Sequence, residues 1–309
     1  MAPRQAAALA VPASPIVRFG PVVLFCLIWS SAFAAAKIAL PHCPPLLLLS
    51  ARFLAAGSIM LALAAALGRL QRPAGADLAK LLLLGVLNNA VYLGFSFSGM
   101  QTVSSAFGAV IISTNPLLVA LLAAPVLGER LTWSKLFGLL LGMIGVAIVL
   151  RSRLGGAQED WHGTILVVAG LLALVAGTVL FKKLKPGGDL WAGTALQCLS
   201  GGLVLLPVAL AKENLGDIDP TPALLGAFAY LVLAVSIGAF WLWFRLLETR
   251  SATEASALHF LMPPLGLLFG WLIFREPVGW LDLAGIIPIA IGIALVTRAD
   301  ARDATGATS

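Results

Sequence analysis

Charge is what this sequence has least of. Of its 309 residues only 11% are Asp, Glu, Lys or Arg and 60% are hydrophobic, where a water-soluble domain carries about 25% and about 45 to 50%. That balance excludes an ordinary soluble globule, and a mean hydropathy of +0.99 points to lipid as the solvent. Histidine and cysteine are scarce too, three of each. His42, His162 and His259 are scattered, Cys26 and Cys198 fall inside apolar runs, and Cys43 sits in a short connection. No metal-ligand spacing and no disulfide framework results. A Gly-rich loop ending in Lys-Ser or Lys-Thr is also missing, so a nucleotide-driven pump within this chain is excluded, and no cofactor is expected. Residues 1–18 hold Pro3, Pro12 and Pro15 with only a brief apolar patch, too interrupted for a cleavable signal peptide; the first span is expected to serve as its own targeting signal.

What fills the chain is apolar runs of spanning length. Hydropathy places spans at about 19–40, 45–67, 78–100, 103–127 and 133–150, then at about 163–184, 190–211, 222–246, 252–274 and 278–297. The expected organisation is a tail (1–18), a five-span block (19–150), a linker (151–162), a second five-span block (163–297) and a tail (298–309). Connections this short leave no room for a soluble domain, an ATPase or a nucleic-acid-binding module. The net charge of +6 is explained by topology instead. Six of the 20 Lys and Arg residues (Lys37, Arg52, Arg151, Arg153, Lys212 and Arg275) fall on one side, and the rest, among them Arg4, Arg69, Arg72, Arg130 and Arg298, fall on the other. The excess side is expected to be cytoplasmic and to hold both termini.

An internal repeat organises the ten runs. Pro116, Glu129, Trp133, Gly138 and Gly145 recur as Pro263, Glu276, Trp280, Gly285 and Gly292, all at one offset, which Thr102 and Thr249 share. A unit of five spans is odd, so the second copy enters the membrane from the opposite side. Two inverted halves around a midplane site are the plan of many secondary transporters.

These stretches resemble the drug/metabolite transporter superfamily, in particular its EamA-type ten-helix exporters. The resemblance runs through residues 105–129 ("SAFGAVIISTNPLLVALLAAPVLGE"), 138–146 ("GLLLGMIGV"), their equivalents 258–276 and 285–295, Trp29-Ser30 and Arg52. Pro277 replaces the equivalent of Arg130, and the sixth span lacks a Trp-Ser pair. The resemblance implies an all-α polytopic membrane protein, with ten transmembrane helices as two inverted five-helix repeats around a central cavity. It also implies secondary export of metabolites such as amino acids across a bacterial inner membrane, and no enzymatic activity.

The residues sharpen the substrate. Every Asp and Glu falls near a span end or in a connection, so the buried carboxylate that cationic-drug and proton antiporters use is missing. The deep polar groups are neutral and suit a neutral or zwitterionic solute, with amino acids leading and aromatic or large apolar ones the best fit. Candidate cavity residues form stripes. Asn88, Tyr92 and Ser96 share a face of the third span, with Asn89 beside them; Trp29, Phe33 and Lys37 share one in the first; Ser256, His259 and Pro263 do so in the ninth. Ser30, Asn115 and Trp241 complete the set. Each stripe is open to a second reading as interhelical glue. His259 reads either as a proton relay or as a packed hydrogen-bonding group. Lys37 and Arg52 could hold a substrate carboxylate or snorkel to the outer headgroups. Pro116, Pro263 and Pro264 are expected to kink their spans and to act as hinges or mere shape. Gly138-xxx-Gly142 and Gly266-xxx-Gly270 have the spacing of close helix packing, between the halves or across a homodimer; a monomer or homodimer is expected. Trp133, Trp161, Trp191 and Trp280 lie where interface anchors belong. An antiporter of phosphorylated or nucleotide-linked sugars would want more deep Lys and Arg, and multidrug efflux a deep carboxylate. A non-transporting scaffold would want a large exposed loop. The expected partners are a small-molecule substrate and the bilayer, and not nucleic acid.

Overall fold

The structure, a computed structural model, describes residues 15–68, 73–103, 105–151, 160–275 and 278–306. Arg4, Arg69, Arg72, Arg153, Glu276 and Pro277 lie outside the described residues, as do most of the expected N-terminal tail and linker. Ten helices are long and apolar enough to cross a membrane. They are α1 (Pro15–Ala39), α2 (Pro45–Ala66), α3 (Gly75–Gly99), α4 (Ser105–Ile112 and Asn115–Leu127), α5 (Trp133–Leu150), α6 (Trp161–Leu184), α7 (Leu190–Lys212), α8 (Pro222–Thr249), α9 (Ala252–Phe274) and α10 (Trp280–Gly306). No strand occurs among the described residues. In lipid only a helix satisfies the backbone within its own segment, so the apolar runs fold this way. Their starts are set locally. Thr132, Asp160, Asp189, Thr221 and Ser251 each cap a helix by accepting from the amide three residues on, at 2.8 to 3.3 Å. With ten spans, the start of α1 and the end of α10 lie on one face, called here the terminal face.

Packing follows the repeat. The partners of each helix keep their identity when the halves are exchanged: α3 lies on α6 as α8 lies on α1, and α4 on α6 as α9 on α1. Two pairs are their own counterparts, α2 with α7 and α5 with α10. The α5–α10 crossing is made of backbone. A Cβ built on Gly145 would stand 2.7 Å from the carbonyl oxygen of Gly285, and one on Gly138 2.8 Å from that of Gly292. The pairing is antiparallel and reciprocal, since Gly285 and Gly292 are the repeat equivalents of Gly138 and Gly145. Gly142 meets the ring of Phe260 in α9. The first glycine pair therefore joins the two halves. Gly266 does not behave as its spacing implies, because nothing lies within 4 Å of where its Cβ would be; Gly270 is buried in the same helix.

Four helices are irregular, and the symmetry chooses them. α3 takes a π turn over Val86–Val91 and α8 over Leu231–Ala239, positions that correspond under the repeat offset even though the sequences there do not match. α4 breaks at Ser113 and Thr114, whose hydroxyls bond back to Ala109 and Ile111 carbonyls at 2.6 and 2.7 Å. α9 tightens into a 3₁₀ turn at Leu258–Leu261. The expected proline kinks are corrected by this geometry. Pro116 and Pro263 stand in the first turn of the second pieces of α4 and α9, with Pro264 next in line, where a missing N–H costs no helical bond. The chain breaks first, and proline starts the new piece.

Gly145→Leu is expected to push α5 from α10 and cost about 1 to 3 kcal/mol. Melting of the purified protein in detergent checks this. Gly20→Leu, at a position with nothing within 4 Å, should melt with the parent.

Candidate substrate site and its closure

The centre is polar, aromatic and shut from solvent. Buried side chains of both halves meet there. Asn115 begins the second piece of α4 fully buried, and neither atom of its amide has a hydrogen-bond partner. In α9 the His259 Nδ1 lies 3.0 Å from the Ser256 carbonyl. A carbonyl only accepts, so Nδ1 carries the proton, and Nε2 offers a lone pair with no partner. Ser256 Oγ and Ser30 Oγ are buried and unpartnered as well. Unsatisfied buried polar atoms are costly, and such groups on three helices, α1, α4 and α9, mark where a ligand's groups would be received.

Aromatic rings connect these groups. Trp243 of α8 lies edge-on to His259 with centroids 4.9 Å apart and stacks on Phe25 of α1 at 5.5 Å. Trp29 stands 6.2 Å from His259 and 5.2 Å from Phe240. The α-helical spacings Phe25–Trp29 and Phe240–Trp243 put both pairs on facing stripes of α1 and α8. The ring that joins the cluster is Trp243; Trp241, two residues earlier, points elsewhere and is half-buried.

Arg52 borders the rings. Its guanidinium carbon lies 5.1 Å from the Phe53 ring centroid and 5.8 Å from that of Phe240, and its Nε donates to Ser236 Oγ at 2.6 Å. Only 5% of the residue is exposed, so Arg52 does not snorkel. Lys37, by contrast, is exposed at the far end of α1, with its Nζ 4.5 Å over Phe274.

Other expected site residues are drawn apart. The Asn88–Tyr92–Ser96 stripe is pressed against α6, where Gly170, Ala173 and Gly177 make room for it. This is close helix packing, with small residues taking the larger ones. The π turn sends Asn89 the other way, and its Nδ2 donates to the Gln197 carbonyl of α7 at 2.9 Å. Phe33 is 51% exposed on the outer surface of α1. Trp133, Trp161 and Trp280 are exposed at span ends. Trp191 instead ties α7 to α2 by donating to the Met60 carbonyl at 2.9 Å.

The terminal face is closed by charges set on helix ends. Glu129, from the α4–α5 connection, accepts from the amides of Ala252 and Thr253 at 2.6 and 3.2 Å and from the Thr253 hydroxyl at 2.7 Å. It thus sits on the positive N-terminus of α9. Lys182 Nζ donates to the Leu247 carbonyl at 2.8 Å and to that of Arg250, so a cation sits on the C-terminus of α8. One tight turn is gripped at both its poles. Behind it Lys135 of α5, 2% exposed, pairs with Asp300 of α10 at 2.6 Å, and Ser251 donates to the same carboxylate at 2.8 Å. On the opposite face, Glu213 accepts from the amides of Leu46 and Leu47 at the start of α2 at 2.9 and 2.7 Å. There too, the Gly163 amide and the Thr102 hydroxyl hold the Asp160 carboxyl below its ordinary range. Among the described residues no group of three or more His, Cys, Asp or Glu could hold a metal ion.

The EamA-like transporter family matches this sequence twice, over residues 21–151 and 161–298. Protein PecM of Dickeya dadantii is 30% identical over 271 residues, covering 87% of this chain and 88% of its own. The S-adenosylmethionine/S-adenosylhomocysteine transporter of Chlamydia trachomatis is 28% identical over 305 residues, 93% of this chain and 91% of its own. A protein of known crystal structure superimposes with a TM-score of 0.79 at 21% identity, over 93% of this chain and 98% of its own, which shows a shared fold.

Asp300→Asn, which removes the charge facing buried Lys135, is expected to cost on the order of 3 kcal/mol. Joint replacement by Lys135→Met and Asp300→Leu should recover most of that loss. Thermal melts of the three proteins check both statements.

Proposed function

From a chain that belongs to the EamA-like transporter family, and is therefore a multi-pass membrane transporter, we propose a secondary exporter of amino acids working by alternating access. The observation that carries the substrate class is the composition of the closed centre. It offers the neutral acceptors and donors of Ser30, Asn115, Ser256 and His259 beside the rings of Phe25, Trp29, Phe240 and Trp243. Every Asp and Glu stands outside the middle of the spans, which speaks against cationic drugs. Among the described residues Arg52 is the one cation beside these rings, too few for a sugar phosphate. A zwitterion with an aromatic or large apolar side chain fits this set.

The movement we propose is a rocking of the five-helix repeats about the reciprocal α5–α10 crossing. The broken helices α4 and α9 flex at the residues preceding Pro116 and Pro263. In the proposed cycle the present conformation is the one with the terminal face locked, and release of Glu129 from α9 opens it. The excess of Lys and Arg on that face supports placing both termini in the cytoplasm of a cell bounded by this inner membrane.

The test is uptake into proteoliposomes of labelled phenylalanine, leucine, glutamate, a sugar phosphate, S-adenosylmethionine and a cationic dye, each with and without a pH gradient. Phenylalanine or leucine flux at least about tenfold above empty liposomes is expected. Flux of only the dye or the sugar phosphate overturns the substrate class. Flux of S-adenosylmethionine would move the reading toward the compound named for the Chlamydia relative, whose purine the same rings would receive.

A further inference from the structure

We propose that Arg52 is the carboxylate anchor of the transported molecule, and that the α-amino group is dispensable, so that aryl and large apolar monocarboxylates without an amino group are ligands too. The inference rests on the transport reading and deepens it.

Arg52 lies seven residues inside α2, about 10 Å from the start of the helix at 1.5 Å per residue. A guanidinium at that depth and 5% exposed is costly unless it is paired. The ion pairs of the described residues do not include it. Among the described residues its hydrogen bond goes from Nε to Ser236 Oγ, at 2.6 Å. That bond uses one of five N–H groups and fixes the plane of the fork. The end-on edge, made by the two Nη atoms, remains for a bidentate carboxylate. Ser236 lies within the π turn of α8, and that turn also carries Phe240 into reach of the guanidinium at 5.8 Å. The rings then continue from Phe240 to Trp29 at 5.2 Å and to His259 beyond it. A molecule with its carboxylate on Arg52 lays its apolar body along this row.

An ammonium group finds no such anchor. Among the described residues no Asp or Glu falls in the interior of a span: Asp77, Glu254 and Asp282 are each third in their helix, Glu248 is next to last in α8, and Asp300 closes the tenth span. The amino group of a zwitterion would meet ring faces, neutral oxygens and the uncharged Nε2 of His259, and no carboxylate. Recognition is therefore lopsided, strong for the anion and weak for the cation.

The experiment measures binding and flux on the full chain. Quenching of tryptophan fluorescence in detergent is titrated with phenylalanine, 3-phenylpropanoate, phenethylamine and phenylalaninamide, and the same four compete for phenylalanine uptake in proteoliposomes. 3-Phenylpropanoate is expected to bind within about threefold of phenylalanine, and the amine and amide about 10- to 100-fold more weakly, the range of a charge-assisted pair. Arg52→Gln should erase that difference. Arg52→Lys, which keeps the charge without the fork, should retain it at reduced size, and serves if the Gln variant does not run as a single species. Three results overturn the proposal: equal binding of acid and amine, an Arg52→Gln protein that keeps the preference, or full displacement of the acid by chloride. Carboxylate-selective binding without flux would instead sink the transport reading and leave the anchor standing.

Discussion

A backbone amide in hydrocarbon has no water to turn to, and this constraint decides where the protein can be irregular. The chain places its interruptions in α3, α4, α8 and α9, where neighbouring helices and short polar side chains repair the damage. α2, α5, α7 and α10, the pairs that are their own counterparts under the repeat, run as unbroken α-helix apart from their prolines. The regular helices hold the halves together, and the irregular ones shape the centre.

Much of this was legible in the sequence, for identifiable reasons. The ten spans follow from the scarcity of charge, and the reciprocal crossing is foreshadowed by Gly138, Gly145 and their equivalents. The π turns of α3 and α8 were not legible, because they correspond in position without corresponding in residue: Asn89 answers to Ser236. The α3 stripe misleads for a different reason. Periodicity finds the shared face of Asn88, Tyr92 and Ser96 but cannot tell whether that face meets a substrate or the small residues of α6. The aromatic row was half visible. Trp29 and His259 stand out by type, whereas Phe25 and Phe240 look like any apolar residue until α1 and α8 are brought together.

Charge at the membrane surfaces does different work from charge in the middle. Glu129 and Lys182 meet helix termini whose partial charges are opposite to their own, so each needs no mobile partner and each is spent on one turn of chain. The turn between α8 and α9 is where the second half changes direction, next to the residues that carry the rings and His259. A local grip on two helix ends thereby fixes the orientation of the two helices that carry Phe240, Trp243, Ser256 and His259.

The glycine crossing has a consequence for how such a molecule can become specialised. A contact in which Gly138 meets the equivalent of Gly145, and Gly145 the equivalent of Gly138, is isologous, the kind of interface that relates two identical subunits by a dyad. Here the dyad lies within one chain. Two identical subunits would place an arginine on both sides of the axis and give the pathway two anions to hold. Fusion removes that obligation: Arg52 stands on one side, Leu199 at the corresponding place on the other, and the passage acquires a head and a tail.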